Sequence, residues 1–402
     1  MTGEIITTER KRLRELLPGI QLGHWPTGPK NGITDVPGVL VHTQSIHGDN
    51  GNVNTGVTTI LPNKDWFYKG YYAGMFRYNG CGELTGSHWI NETGTLVSPI
   101  IITSSFSVGA CHTGIYKYAA QHHCDDDGSA QWFLMPVVGE TYDGYLNDQS
   151  QFCVTPEHVI EGIKNASDAP VQEGNTGGGT AMICQGYKGG TGTSSRVVPA
   201  IASNGADTSY TVAALVQANY GRQKQLHIAG VPVGRILTTQ DAKNEAKAKA
   251  AQAIDDAKDK TDGSIIIVLA TDAPLHPVEL QRLATRAAGG LSRVGGYGHN
   301  TSGDIFMAFS TANEMPAKGV GYTANGTDIF KAKAHTMESV QDSTINALLE
   351  AAADAAEEAI YNALCKAETM VGFKGRKVDA LPLDRVKDIM EQYQGLEQSL
   401  LG

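Results

Sequence analysis

The pentapeptide Asn300-Thr301-Ser302-Gly303-Asp304 has the most specific chemical potential in the chain. It is a polar turn that opens directly into the apolar run Ile305-Phe306-Met307-Ala308-Phe309. A hydroxyl residue at the head of a buried strand, preceded by a small turn, is placed to attack the carbonyl just before it. When hydrolysis follows that N-to-O acyl shift, the chain is cut and the hydroxyl residue becomes a new N-terminus. An α-amine titrates near ~7.7 to 8, against ~10.4 for lysine, so a good fraction is neutral near pH 7 and can act as base for its own side chain. One residue then supplies both nucleophile and base, and no histidine is required. The same residue types also make an ordinary turn, so the motif needs wider context.

Acyl transfer also needs donors aimed at a developing oxyanion. Asn219, in VQANYG at the end of an expected strand, can supply a side-chain N–H, and Tyr142, in GETYDG, a phenolic O–H. The run TGTSSRVV lacks the Lys-Ser/Thr ending of a phosphate-binding loop and reads as tight turns. His122 and His123, followed by Cys124 and three aspartates, lack a second matched ligand cluster and read as an exposed acidic loop, so no metal is expected.

The elements that must position these groups are legible as patterns. Short β-rich runs alternate with glycines from Ile33 to about Ile102, and a helical stretch follows Val108. GSIIIVLATDAP is an apolar run suited to a strand buried on both faces; LHPVELQRLATRAAGGLSRVGG is a helix ended by paired glycines. Helical apolar spacing recurs through STINALLEAAADAAEEAIYNALCKAE, whereas residues 240–262 have almost no bulky apolar face and read as a solvated linker.

Across 402 residues, 41% are apolar and 18% charged, enough for a large core in one α+β domain spanning 1–402. A net charge of -10 with no basic cluster argues against nucleic acid as a partner. No run approaches the ~18 to 20 apolar residues of a membrane span, and the charged start does not read as a signal peptide, so a soluble, cytoplasmic protein is expected. The six cysteines are widely spaced without a C-x-x-C pair and read as buried free thiols.

Taken together, GGGTAMICQGYKGGTGTSSRVV, VQANYGR, HIAGVPVGR and the string from GSIIIVLATDAP to YGHNTSGDIFMAFSTAN resemble the L-aminopeptidase/D-esterase and β-peptidyl aminopeptidase family. The resemblance runs from about Ile33 to about Gly372. It implies a self-processing hydrolase of N-terminal-nucleophile type, folded as a four-layer αββα sandwich. Such an enzyme forms homo-oligomers (here a tetramer of αβ units), uses no cofactor, and releases N-terminal residues from small peptides, amides and esters.

Carried over by position, the resemblance makes Ser302 the nucleophile, with an α chain of 1–301 and a β chain of 302–402. Asn219 and Tyr142 become its oxyanion donors and Glu140 the anchor for the substrate ammonium. Thr336 and Glu338 become the pair that orients the new amine, with Ser339 as a competing hydroxyl. One position departs from the pattern: Thr301 stands where the family more often has glycine, and a β-branched residue is harder to place in a strained turn. Cleavage after Asn300, with Thr301 as nucleophile, is the alternative. The rival functions are hydrolysis of non-peptide amides, acyl transfer to an amine, and non-catalytic binding by an oligomer.

Overall fold

The computed structural model describes residues 10–48, 50–242, 249, 252–254, 263–317 and 330–401. Most of the expected linker at 240–262 lies outside them. In chain order the strands are β1 (Leu40–His47), β2 (Asn54–Leu61), β3 (Lys69–Gly80), β4 (Thr95–Leu96), β5 (Ile100–Ser104) and β6 (Val137–Thr141). They continue with the short hairpin β7 (Ile183–Cys184) and β8 (Tyr187–Lys188), then β9 (Gly190–Ile201), β10 (Asp207–Asn219), β11 (Ser264–Thr271) and β12 (Gly303–Pro316).

Two sheets stack face to face. One has the order β1-β2-β5-β6 and the other β4-β3-β12-β11-β10-β9. Pairs β5/β6 and β11/β12 are parallel, and the other neighbours within these two sheets are antiparallel. Ile60, Ile102 and Val137 of the first sheet meet Leu215, Ile266 and Met307 of the second in a shared apolar layer. A strand squeezed between two packed layers must be apolar on both faces. Every residue of β11 is buried, as its apolar run predicts.

Helices cover the outer faces. Cys111, Ile115 and Ala119 of helix Val108–His123, with Val159 and Ile163 of helix Pro156–Asn165, cover Val57, Ile101 and Val138. On the far side, helices Pro277–Val294 and Asn346–Lys366 cover Val212, Ala214, Ile267 and Phe306. The result is the expected αββα sandwich.

Small residues set how closely these layers approach. A Cβ on Gly192 of β9 would lie 2.0 Å from the Ala359 carbonyl oxygen, and one on Gly290 would lie 2.4 Å from that of Ala353. The mid-helix glycine at 290 costs roughly 1 kcal/mol of helix propensity and gains this contact. Helix Pro277–Val294 ends where Gly295, at φ +108°, turns its N–H back to Leu291 and Ser292. That stop leads the chain into the turn before β12. Among the described residues, no helix is long and apolar enough to cross a membrane.

Candidate active site

Ser302 sits at the head of β12, buried to 4% exposure, between the exposed Thr301 and the first strand residue. The turn before it is closed by its own N–H, which donates to the His299 carbonyl at 2.9 Å. The Ser302 hydroxyl contacts the Gly263 carbonyl and, at 2.7 Å, Oδ1 of Asp304, itself only 2% exposed. A hydroxyl has one proton, so these two oxygens compete for it. The next N–H, that of Gly303, donates to the Ser264 hydroxyl at 3.1 Å. Strand β11 therefore begins beside the nucleophile because it runs parallel to β12, with Ile265 opposite Asp304.

Asn219 arrives on the other neighbour of β11, where β10 pairs it with Ser264. It is 5% exposed, and both ends of its amide are engaged: Oδ1 accepts from Ile183 N–H and Nδ2 donates to the Tyr142 carbonyl, each at 2.8 Å. Tyr142 thus reaches the site through its backbone. Its phenol turns toward its own loop, where a Cβ on Gly144 would lie 2.4 Å from that oxygen. Asp143 follows, buried, accepting from Asn147 at 3.0 Å and Gln149 at 2.8 Å. Burial pushes its carboxyl up to about 6, against the opposing pull of those donors.

Glu140 is the penultimate residue of β6 and is 7% exposed. One oxygen accepts from Glu83 N–H at 3.0 Å and the other from the Ser105 hydroxyl. Gly82 separates it from the nucleophile strand: a Cβ there would lie 2.9 Å from Gly303 Cα and 3.2 Å from Glu140 Oε1. Burial raises this carboxyl above the ordinary carboxylate range, and the two donors partly offset that. A buried carboxylate one glycine away from the nucleophile strand is suited to holding an ammonium. On the opposite side, Tyr220, Gly221, Gly295, His299, Ser302 and Asp304 enclose about 10 Å³, room for about one water.

A buried serine at a strand head, with a carboxylate at hydrogen-bond distance from its hydroxyl, is suited to acyl transfer. The family profile of Peptidase family S58 matches residues 31–378. The chain belongs to peptidase family S58. It is 40% identical to the beta-peptidyl aminopeptidase BapA of Sphingosinicella microcystinivorans over 397 residues, covering 97% of this chain and 94% of that protein. BapA of Sphingosinicella xenopeptidilytica is 40% identical over 374 residues, covering 90% and 88%. Among solved structures, the L-aminopeptidase D-Ala-esterase/amidase of Ochrobactrum anthropi, described as a variant of the Ntn hydrolase fold, superposes with a TM-score of 0.79 at 40% identity. It covers 95% of this chain and 99% of that one. A Burkholderia sp. beta-aminopeptidase gives 0.79 at 39%, with the same coverage. The chain is an aminopeptidase/amidase of Ntn-hydrolase fold.

In this S58 chain the remaining expected residues fall elsewhere. Thr336 and Glu338 are exposed, and Glu338 pairs with Asn313, eleven positions along β12 from Ser302. At ~3.3 Å per strand residue that is on the order of 30 Å away. Glu338 also accepts from Ser203, near the β9/β10 turn, and Ser339 contacts Glu279. The structure therefore does not bring these residues to Ser302 in the uncut chain, where the carboxylate beside the hydroxyl is Asp304.

His123 is explained by packing, its ring stacked on Phe67 at 3.6 Å. All six cysteines are free, but only Cys111, Cys184 and Cys365 are buried, and Cys81 is exposed beside the site, donating its N–H to the Ser302 carbonyl at 3.2 Å. The sequence reading also passed over Asn79, whose amide reaches the same turn.

Proposed function

We propose that this S58 chain cuts itself between Thr301 and Ser302 and then works as an N-terminal serine aminopeptidase/amidase. The observation that supports this most directly is the Ser302 hydroxyl, buried at the strand head and 2.7 Å from Asp304 while its own nitrogen is still in a peptide bond. In the uncut chain the α-amine is acylated and cannot be the base, so another group must take the proton. Asp304 has that position.

In the proposed step, Ser302 Oγ attacks the Thr301 carbonyl carbon as its proton passes to Asp304. The carbon–nitrogen bond then breaks, the departing nitrogen takes up a proton, and an ester joins Thr301 to the Ser302 oxygen. Water hydrolyses that ester, leaving a carboxylate on Thr301 and a free hydroxyl and amine on Ser302.

In the mature enzyme the Ser302 amine deprotonates its own hydroxyl, and Glu140 holds the substrate ammonium. Asn219 and Tyr142 stabilise the oxyanion, which requires the Asn219 amide to exchange its Tyr142 carbonyl contact for the substrate and the Tyr142 phenol to turn out of its own loop. The names of the relatives favour β-aminoacyl and L-aminoacyl peptides, amides and esters as substrates. A homo-oligomer of αβ units in the cytoplasm completes the proposal. The test is a denaturing gel of purified protein alongside Ser302→Ala. Two fragments from the first and one full-length band from the second are expected. A single full-length band from both, with peptidase activity, overturns it.

A further inference from the structure

Asn79 is the last residue but one of β3 and pairs with Asp304 across β12. Just before it the register slips, so that Arg77 faces Ile305 and Tyr78 is the extra residue of a bulge. A bulge bends a strand end and re-aims the side chain beside it. Here the Asn79 side chain points along the turn that precedes Ser302. Its Nδ2 donates to the carbonyls of His299 at 2.7 Å, Asn300 at 3.2 Å and Ser302. An amide nitrogen has two hydrogens, so at least one is shared.

The arrangement has a chemical consequence. The carbonyls of Asn300 and Ser302 stand on either side of Thr301, whose own carbonyl carbon is the one Ser302 must attack. Fixing both flanking carbonyls fixes the rotation of the peptide unit between them. His299 contributes further, since its carbonyl accepts both from Asn79 and from Ser302 N–H. From the other side, the Ser302 carbonyl also accepts Cys81 N–H at 3.2 Å. An exposed turn would otherwise sample many backbone conformations, few of them aligned for attack.

We propose that Asn79 is the positioning residue of self-cleavage, holding the 299–302 turn so that the Thr301 carbonyl faces the Ser302 hydroxyl, and that turnover by the mature enzyme does not need it. The second half follows from the same contacts: two of the three carbonyls it holds belong to the end that the cut releases. The inference rests on the reading that the Thr301–Ser302 bond is the one cleaved.

The experiment is cell-free synthesis of the full chain, stopped in denaturant at successive times, for wild type, Asn79→Ala and Asn79→Asp. Cleavage is expected to slow about 10- to 100-fold in Asn79→Ala, the order of loss for a small misplacement of reacting groups. It should slow further in Asn79→Asp, which sets acceptor oxygens against three carbonyls. For chains that have been cut, kcat/KM per new serine terminus should stay within about two-fold of wild type, because the mature chemistry has lost none of its groups.

In an uncleavable Ser302→Ala background, the two Asn79 changes should leave the Tm close to that of the parent; a large fall would make the slowing a folding effect and overturn the inference. Cleavage at the wild-type rate in both variants would overturn it too, as would an equal loss of activity per cut chain. A wild-type chain that never cuts refutes the self-processing reading itself, and the wild-type time course alone reports that.

Discussion

The Ser302 hydroxyl lies 2.7 Å from Asp304 Oδ1, two residues further along the same strand. Alternate strand residues share a face, so an Asp placed two positions after the nucleophile must look back at it. This is the physical content of the Ser-Gly-Asp spacing. Replacing Asp304 by Asn preserves the shape and removes the base. Self-cleavage should slow by about 10²- to 10⁴-fold, the usual worth of a positioned general base. Time courses on denaturing gels measure it; an unchanged rate in Asp304→Asn would show that the proton leaves by another route.

Glu140 holds no cation of the chain in the contacts described: Glu83 N–H and the Ser105 hydroxyl are its donors. Glu140→Gln should reduce kcat/KM for substrates with a free amine by about 10- to 100-fold, the scale of a charged hydrogen bond of ~1.5–3 kcal/mol. N-acetylated analogues, poor substrates from the start, should not be further affected. Because burial raises its carboxyl, and only the ionised form binds ammonium, activity should fall with decreasing pH sooner than an ordinary glutamate would allow. A low-pH limb that stays in place in the Gln variant would assign it to another group.

Asn219 is expected to serve the mature enzyme as an oxyanion donor. Asn219→Ala should lower kcat about 10²- to 10³-fold with a small change in KM, as loss of one such donor does. Steady-state kinetics on the cut variant separate the two parameters, and a loss confined to KM would argue for substrate binding instead.

Asp143 gives a stability test independent of catalysis. Burial holds its carboxyl at about 6 in the folded chain against 3.8 for an ordinary aspartate, so between those values the native state binds the extra proton. Stability from this group is complete below about pH 4 and is lost as pH rises to about 6, with a total on the order of 3 kcal/mol. Asp143→Asn should be less stable at low pH, since Asn147 or Gln149 loses an acceptor, but should lack this slope. Tm against pH between 4 and 6.5 for both proteins checks it; parallel curves would contradict it.

Local patterns made much of the fold readable. The all-apolar run in β11, the Pro-to-Gly limits of helix Pro277–Val294 and the polar turn opening into β12 are encoded within the residues that form them. From local pattern alone the site was readable only around Ser302, and Asn219 and Glu140 entered through the family resemblance. Asp304 sits beside Ser302 in sequence, whereas Gly263 and Asn79 approach through sheet pairing from 39 and 223 positions away. Nothing in FRYNG announces a side chain that will hold a distant turn. Thr336 and Glu338 show the converse: their types and spacing fitted a role, but the chain after β12 places Glu338 at the strand's other end, against Asn313.

The most direct test is the mass and N-terminal sequence of fragments in active, purified protein. The account predicts two chains, the smaller beginning Ser302-Gly303-Asp304, and neither cut nor activity in Ser302→Ala. A fragment beginning at Thr301 would move the nucleophile by one residue, and fully active protein with residues 300–303 joined would contradict the account.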